Sequence, residues 1–351
     1  MRRAMTVLAM VLCAWTGAWA GEPIVIGETV TIESEILDEE RTLLVSTPPG
    51  YGQSADRYPV LYMTDGNDHV THTRGTVDFL ARNGLIPQMI IVGVTNTDRT
   101  RDLTPTHVEA VERDGRSFDL SSSGGSGAFL DFFERELFPF VDERYRTERA
   151  RFFSGHSFGG LFALNAVFSR PEMFVGAVAV SPSLRWDDDQ PLRLAKQVLA
   201  DTDSLPTTLF VSMANEEEGT PAPTALDRLA AIFTLASADG FEWDVKRMPD
   251  ETHGSVVLRS HYWGLRMLFE AWRLPRNART GVFEGSIDDL EAHYRSVAER
   301  YGFSSTPPET AVNQLGYQFL MMGEEEKAIS FFEYNVENYP NSANVYDSLG
   351  E

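Results

Sequence analysis

From residue 22 to about residue 273, short apolar runs alternate with amphipathic stretches along the chain. Buried parallel strands are typically continuous apolar runs, whereas the helices between them carry one apolar stripe. The alternation therefore predicts an α/β fold in which helices flank a mostly parallel sheet. The predicted strands lie at residues 29–36, 41–47, 60–63, 89–94, 151–154, 175–180, 207–213 and 241–248.

Two parts of this region depart from the simple pattern. Residues 29–36 and 41–47 alternate polar and apolar side chains, as antiparallel strands at a sheet edge do. Residues 95–127 form a long polar stretch, which predicts either a mobile flap near the functional site or a solvated insertion. Helices are predicted at residues 76–83, 128–146, 161–168 and 260–272, and Pro139 should kink or end the second of them.

The chain becomes helical and acidic in composition from residue 275 onward. Leu315, Gly316, Ala328, Phe332 and Pro340 reproduce the spacing of a tetratricopeptide repeat, and a second copy begins one repeat length later. Because such a repeat cannot bury its apolar face alone, we expect it to pack on the preceding domain, on another copy of the chain or on a protein partner. The predicted organisation is an export signal at 1–20, an α/β domain at 21–275 and a helical region at 276–351, with the repeat at about 309–351.

The first twenty residues resemble a secretory signal. Two arginines precede an apolar run at residues 4–14, and Ala-Trp-Ala at 18–20 matches a signal peptidase site. The run is too short to span a bilayer, so we expect cleavage after Ala20 and a periplasmic or secreted protein. An uncleaved N-terminal anchor is the alternative. The single cysteine, Cys13, lies in this segment, so the mature chain would have no thiol for a disulfide, a metal site or a nucleophile.

The composition excludes some classes of partner. A formal net charge of −22 disfavours binding to nucleic acid, because the protein surface repels phosphates. No other apolar run approaches the length of a membrane span. The chain also has neither a G-x-G-x-x-G nor a P-loop motif, so a dinucleotide or nucleotide cofactor is not predicted.

One motif predicts nucleophilic chemistry. Residues 155–159 read Gly-His-Ser-Phe-Gly, and they follow an apolar strand and precede an apolar helix. This is the strand–turn–helix context in which α/β hydrolases carry their nucleophile, here Ser157. A strained turn would project the hydroxyl, and the glycines would avoid clashes with the helix and a neighbouring strand. The alternative is a glycine-rich turn without chemistry.

A serine hydroxyl needs a base, and the base needs an orienting acid. In this fold they follow the serine in the order acid, then histidine. His253 is the predicted base, because it lies in a loop directly after the strand at 241–248. His261 lies within the last helix of the domain and His293 lies beyond it, whereas we expect His156 to pack or shape the turn.

The acid should follow the strand at 207–213, where three glutamates are consecutive. Counting from Ala214 favours Glu217, with Glu216 as the next alternative and Glu218 after it.

The oxyanion hole is predicted to combine the backbone N–H of Phe158 with one from the turn at Gly66 and Asn67, in which Asp65 is a turn former. Trp186 and Phe158 either line an acyl pocket or belong to the core. This chemistry requires no metal and no cofactor.

Several of these segments together resemble the family of putative esterases, which includes esterase D-like enzymes and siderophore trilactone esterases. The segments are residues 34–41, 58–66, 154–161, 181–183 and 253–255. The resemblance covers about residues 24–272 and implies an α/β-hydrolase fold and cleavage of carboxylic esters by a Ser–His pair with an acidic third member. Thr64 and Ala214 replace residues that are commoner beside these turns.

The sequence thus predicts an exported serine esterase that acts on a small-molecule ester, either of siderophore type or with a short acyl group, through an acyl-Ser157 intermediate. Two other hypotheses stay open. The same triad could transfer the acyl group to an alcohol, or the chain could be a non-catalytic interaction module that uses its helical repeat.

Overall fold

The computed structural model describes residues 23–52, 56–113, 115–217 and 224–351, without the side chains of Arg113 and Glu217. The predicted export signal lies outside these ranges. Within them, no helix is both long enough and apolar enough to cross a membrane. The strands are β1 (Glu28–Ser34), β2 (Glu39–Ser46), β3 (Tyr58–Met63), β4 (Ile90–Val94), β5 (Ala110–Arg113), β6 (Arg116–Asp119), β7 (Thr147–His156), β8 (Gly176–Val180), β9 (Thr208–Met213) and β10 (Glu242–Arg247).

Twelve α-helices are described in the same ranges. They are α1 (Gly66–Arg82), α2 (Arg99–Leu103), α3 (Ser126–Phe132), α4 (Phe138–Arg144), α5 (Phe158–Ser169), α6 (Gln190–Asp201), α7 (Ala225–Leu235), α8 (Val256–Leu268), α9 (Ile287–Tyr301), α10 (Glu309–Met321), α11 (Glu325–Asn338) and α12 (Ala343–Gly350). Phe133–Leu137 forms a π-helical turn, and Asn215–Glu217 and Glu270–Trp272 form 3₁₀ turns.

Eight strands form one sheet in the order β1-β2-β4-β3-β7-β8-β9-β10. The pairs β1–β2 and β2–β4 are antiparallel, and every pair from β4 to β10 is parallel. The predicted α/β-hydrolase fold, with antiparallel strands at one edge, is confirmed. The carboxyl ends of β3, β7, β9 and β10 reach the same edge of the sheet, and the candidate residues follow these ends.

The sheet buries a hydrophobic layer on each face. On β3, Val60 and Tyr62 belong to the layer under α3 to α7, while Leu61 and Met63 belong to the layer under α1 and α8. This alternation follows from the two-residue period of a strand. It explains why the central strands are continuously apolar in sequence.

Three helical predictions differ from the structure. The first helix begins at Gly66 and not at residue 76, because its first turns carry polar side chains, such as the buried Thr73, that hide the apolar period. The helix predicted at 128–146 is interrupted by the π-helical turn Phe133–Leu137. Pro139 lies in the first turn of α4, directly after that π-helical turn, and the helix continues past it to Arg144.

The polar stretch at 95–127 contains α2 and a two-stranded hairpin formed by β5 and β6. The base of this stretch is closed by hydrogen bonds: the Ser123 hydroxyl accepts from the N–H of Val108, and the Ser126 N–H donates to the carbonyl of Thr104. The hairpin follows α2, whose first residue, Arg99, contacts the residue before Ser157, and a mobile flap at this position stays a prediction.

The C-terminal helices have their own hydrophobic cluster, which includes Phe283, Val312 and Phe331. Helix α9 joins this cluster through Leu290 and joins the core of the sheet domain through Val297. On α10, Gly316 faces the Phe332 ring of α11 so closely that a Cβ atom would come within 2.5 Å of it. This close pairing is what the repeat spacing requires, and the assignment as a tetratricopeptide repeat stays a prediction.

Candidate active site

Ser157 occupies a strained turn between β7 and α5. Its φ of 61° and ψ of −114° lie in a region that residues with a side chain rarely adopt. Two hydrogen bonds fix the turn: the Ser157 N–H donates to the Val180 carbonyl at 2.9 Å, and the Ser157 carbonyl accepts from the Leu161 N–H at 2.9 Å. The turn therefore has the sharp geometry that the motif predicts.

The glycines around Ser157 are required by close packing. A Cβ atom on Gly155 would collide with the backbone of Gly159 at the start of α5. A Cβ atom on Gly159 would collide with the hydroxyl of Thr64, and one on Gly160 would come within 2.9 Å of the Val180 carbonyl. Because these residues have no side chain, the start of α5 can pack closely against the ends of the neighbouring strands β3 and β8.

His253 and a glutamate meet where β9 and β10 end. The His253 Nδ1 lies 2.8 Å from the Glu216 Oε1. The two loops are also joined by their backbones, because the Asn215 N–H donates to the Glu251 carbonyl at 3.1 Å. Glu216, one of the three glutamates left open by the sequence, lies against His253. The side chain of Glu217 and the whole of residue 218 lie outside the described residues.

The surroundings of Glu216 favour its ionised form. Burial raises the pKa of this carboxyl, but the hydrogen bond and charge of His253, together with a hydrogen bond from Ser181, outweigh burial and lower it. The Ser181 hydroxyl also accepts from the Ala214 N–H at 3.1 Å. With a carboxylate at Nδ1, the proton of a neutral His253 sits on that nitrogen and Nε2 is left as the base.

His253 lies beside the strained turn. Its ring centroid is 4.4 Å from that of His156, the residue immediately before Ser157. The two other late histidines are elsewhere: His261 is fully buried and bonded to Ser154, and His293 contacts the Trp272 carbonyl. Of these three, His253 is the one whose ring contacts the residue before Ser157.

A second helix begins next to the Ser157 turn. Asp65 adopts φ 55° and ψ 41° directly before α1, as the predicted turn requires, and its side chain lies against the Gly159 position. Phe158 opens α5, and Gly66 and Asn67 open α1. The N–H groups in the first turn of a helix have no acceptor within that helix, so both helix starts present free donors here.

The Asp65 carboxylate is buried and paired with Arg99, a residue that the sequence reasoning missed. Arg99 donates to both carboxylate oxygens, at 2.6 and 3.1 Å, and Asn96 donates at 2.6 Å. Burial raises the pKa of Asp65, but these partners lower it overall. Arg99 also donates to the His156 carbonyl at 3.0 Å, so it ties the two turns together. The position of Arg99 soon after β4, at the carboxyl edge of the sheet, could have indicated from the sequence that it belongs to the site.

An aromatic pair lies on the other side of Ser157. The rings of Phe158 and Trp186 meet edge to face, with centroids 5.2 Å apart, and the Arg99 guanidinium lies 5.4 Å from the Phe158 ring centre. Trp186 is buried and donates its indole N–H to Thr106 at 3.0 Å. Phe158 is only partly buried, so it is the member of this pair that an acyl group could contact.

Comparisons with known proteins agree with this geometry. The Putative esterase family matches residues 34–239, more than half of the chain. The siderophore triacetylfusarinine C esterase of Aspergillus fumigatus is 28% identical over 61% of this chain and 82% of its own length. The ferri-bacillibactin esterase BesA of Bacillus subtilis is 33% identical, but the chain spans only about half (52%) of that relative.

A solved structure extends the likeness over most of the chain. The IroE-like serine hydrolase from Shewanella oneidensis superposes with a TM-score of 0.76 at 30% identity, and the match covers 89% of this chain and 99% of that one. The family match, the fold and the strained serine turn agree. The chain therefore belongs to the putative esterase family and is a serine esterase.

Proposed function

We propose that the protein hydrolyses carboxylic esters of small molecules through an acyl intermediate on Ser157. The Ser157 oxygen attacks the ester carbonyl carbon while His253 Nε2 takes the hydroxyl proton. That proton then passes to the leaving alcohol as the carbon–oxygen bond breaks. Water, deprotonated by His253, next attacks the acyl-serine, and the proton returns to Ser157 as the acid is released.

Glu216 is the acid that we assign to this triad. Its contact with His253 Nδ1, beside the strained Ser157 turn, is the observation that supports the proposal most. The carboxylate holds the ring in the tautomer that leaves Nε2 free, and it stabilises the imidazolium formed during each step.

The oxyanion hole in this proposal is formed by the N–H of Phe158 and an N–H at Gly66 or Asn67. The two helix starts supply donors that are fixed before the substrate arrives, and such preorganised donors cost little reorganisation when charge develops. The Asp65 carboxylate nearby would oppose an oxyanion, and its pairing with Arg99 offsets this charge.

The substrates that we propose are siderophore-type esters, with short acyl esters as the alternative. The relatives named above as siderophore and bacillibactin esterases support this choice. The signal-like pattern of residues 1–20, with cleavage after Ala20, supports export to the periplasm or beyond.

The test compares the wild type with Ser157→Ala on p-nitrophenyl acetate and on a siderophore trilactone. The variant should lose at least three orders of magnitude in kcat, because the acyl intermediate can no longer form. Ser330→Ala, at an exposed serine of α11, is the matched control and should behave as wild type. Equal turnover by wild type and Ser157→Ala would refute the mechanism. A kcat/KM for the trilactone below that for short esters would refute the proposed substrate.

A further inference from the structure

Five histidine side chains form a continuous row that ends at the base. Successive ring centroids are separated by 4.4, 5.7, 5.3 and 5.4 Å. In spatial order this histidine row consists of His253, His156, His69, His72 and His261. Its members come from the loop after β10, the Ser157 turn, α1 and α8, so the row joins four segments of the chain. The proposed mechanism uses only its first member.

The histidines behind His253 are held neutral at pH 7. Burial lowers the pKa of His156 to about 4, with smaller contributions from His253 and His69. Burial also lowers the pKa of His69, His72 and His261. Among the described residues, the side chains that contact the His253 ring are the Glu216 carboxylate at Nδ1 and the uncharged ring of His156. Behind that ring lies Asp65, whose charge is paired with Arg99.

His156 is itself rigidly placed. Its carbonyl accepts from Arg99, and its ring meets the His69 ring at 78°. Its Nε2 is buried and has no hydrogen-bond partner among the described residues. The His156 ring also makes a hydrogen bond to the backbone of His253. His156 therefore contacts His253 both through its ring face and through this hydrogen bond.

His253 needs a second support. Its side chain is 46% exposed and lies in a loop. In the described part of the chain, Glu216 is the only side chain that hydrogen-bonds its ring. One hydrogen bond at Nδ1 leaves the ring free to swing about that contact. A neighbour packed at its side restricts this motion, and misplacement of a base by a fraction of an ångström costs rate.

We propose that His156 is a positioning residue for ester hydrolysis: its ring, 4.4 Å from His253, keeps the His253 Nε2 directed at Ser157 and supports the imidazolium that His253 becomes. The inference rests on the proposed ester hydrolysis. An uncharged aromatic ring suits this task, since it attracts a cation and a protonated ring would repel it. The ring, and not its nitrogens, is the part required.

The experiment measures kcat and KM of the full chain on p-nitrophenyl acetate. We expect His156→Ala to lower kcat about ten-fold or more with KM within about two-fold, because binding is retained and the base is misplaced. His156→Phe keeps an aromatic ring and should stay within about three-fold of wild type. Should His156→Ala fail to fold, His156→Asn takes its place with the same expected loss.

The matched control is His72→Ala, which removes a ring of the same row that does not contact His253. It should change stability but leave kcat within about three-fold. The inference is overturned if His156→Ala, or His156→Asn in its place, keeps the wild-type kcat. It is also overturned if the kcat of His156→Phe falls as far as that of the small variants, or if the kcat of His72→Ala falls equally. A wild type without Ser157-dependent turnover would instead refute the proposed function.

Discussion

Acid should destabilise this protein in part through the buried imidazole of His156. Burial is the largest cause that lowers its pKa from 6.5 to about 4. In an unfolded chain the same imidazole titrates near its ordinary value. Between these two pKa values the unfolded state binds more protons than the folded state. The contribution of His156 is therefore fully present above about pH 6.5, and it is lost as the pH falls towards 4.

The magnitude follows from the same two values. One unit of pKa corresponds to about 1.4 kcal/mol, so lowering the pKa from 6.5 to about 4 corresponds to about 3.5 kcal/mol. About 3 kcal/mol of this is lost between pH 7 and pH 4, because the folded-state imidazole is only half protonated at pH 4. His156→Phe removes the titrating group and keeps a ring of similar size. The loss in free energy of unfolding between pH 7 and pH 4 should thus be about 3 kcal/mol smaller in the variant than in the wild type.

The assay is urea unfolding followed by tryptophan fluorescence at several pH values from 7 to 4. His107→Phe is the control, because His107 is an exposed histidine outside the row, and it should retain the wild-type pH dependence. Linear extrapolation gives the free energy at each pH, and an unchanged slope with urea shows that the same surface is exposed. Parallel pH profiles for wild type and His156→Phe would refute the reasoning.

Two further predictions concern charges at the site. Glu216→Gln should lower kcat about a hundred-fold or more on p-nitrophenyl acetate, because the orienting carboxylate is lost, whereas Glu217→Gln should stay within about three-fold. The reverse order would assign the acid to Glu217. Arg99→Met should lower the free energy of unfolding by about 3 kcal/mol in urea titrations, because it leaves the buried Asp65 carboxylate without its cation. Asp65→Asn added to this variant should recover part of the loss, and an Arg99→Met protein as stable as wild type would contradict the role of the pair.

The carboxylate that contacts His253 illustrates a limit of sequence reasoning. Three consecutive glutamates follow β9, and because their side chains are identical, only their positions along the turn could distinguish them. The structure places Asn215–Glu217 in a 3₁₀ turn and ties Asn215 to the Glu251 carbonyl, and in this arrangement Glu216 contacts His253. The direction of that turn depends on a loop that lies more than thirty residues later in the chain.

The histidine row could not be predicted from the sequence either. His69 and His261 are 192 positions apart and belong to two different helices, and no periodicity relates them. Thr73 connects these helices inside the protein through its hydroxyl, which lies 3.0 Å from His261 Nδ1. Such contacts exist only once α1 and α8 have packed together on one face of the sheet, beside the end of β7.

What the sequence determined by itself is local. The strands and helices could be predicted from apolar residues that recur every two or every 3.6 positions. Ser157 could be predicted as the nucleophile because the glycines around it lie within a single turn. His253 could be chosen because the carboxyl ends of parallel strands share one edge. The partner of His253, the ring beside it and the charges that balance the site were decided only by tertiary structure, because these contacts join segments that are adjacent in space and distant along the chain.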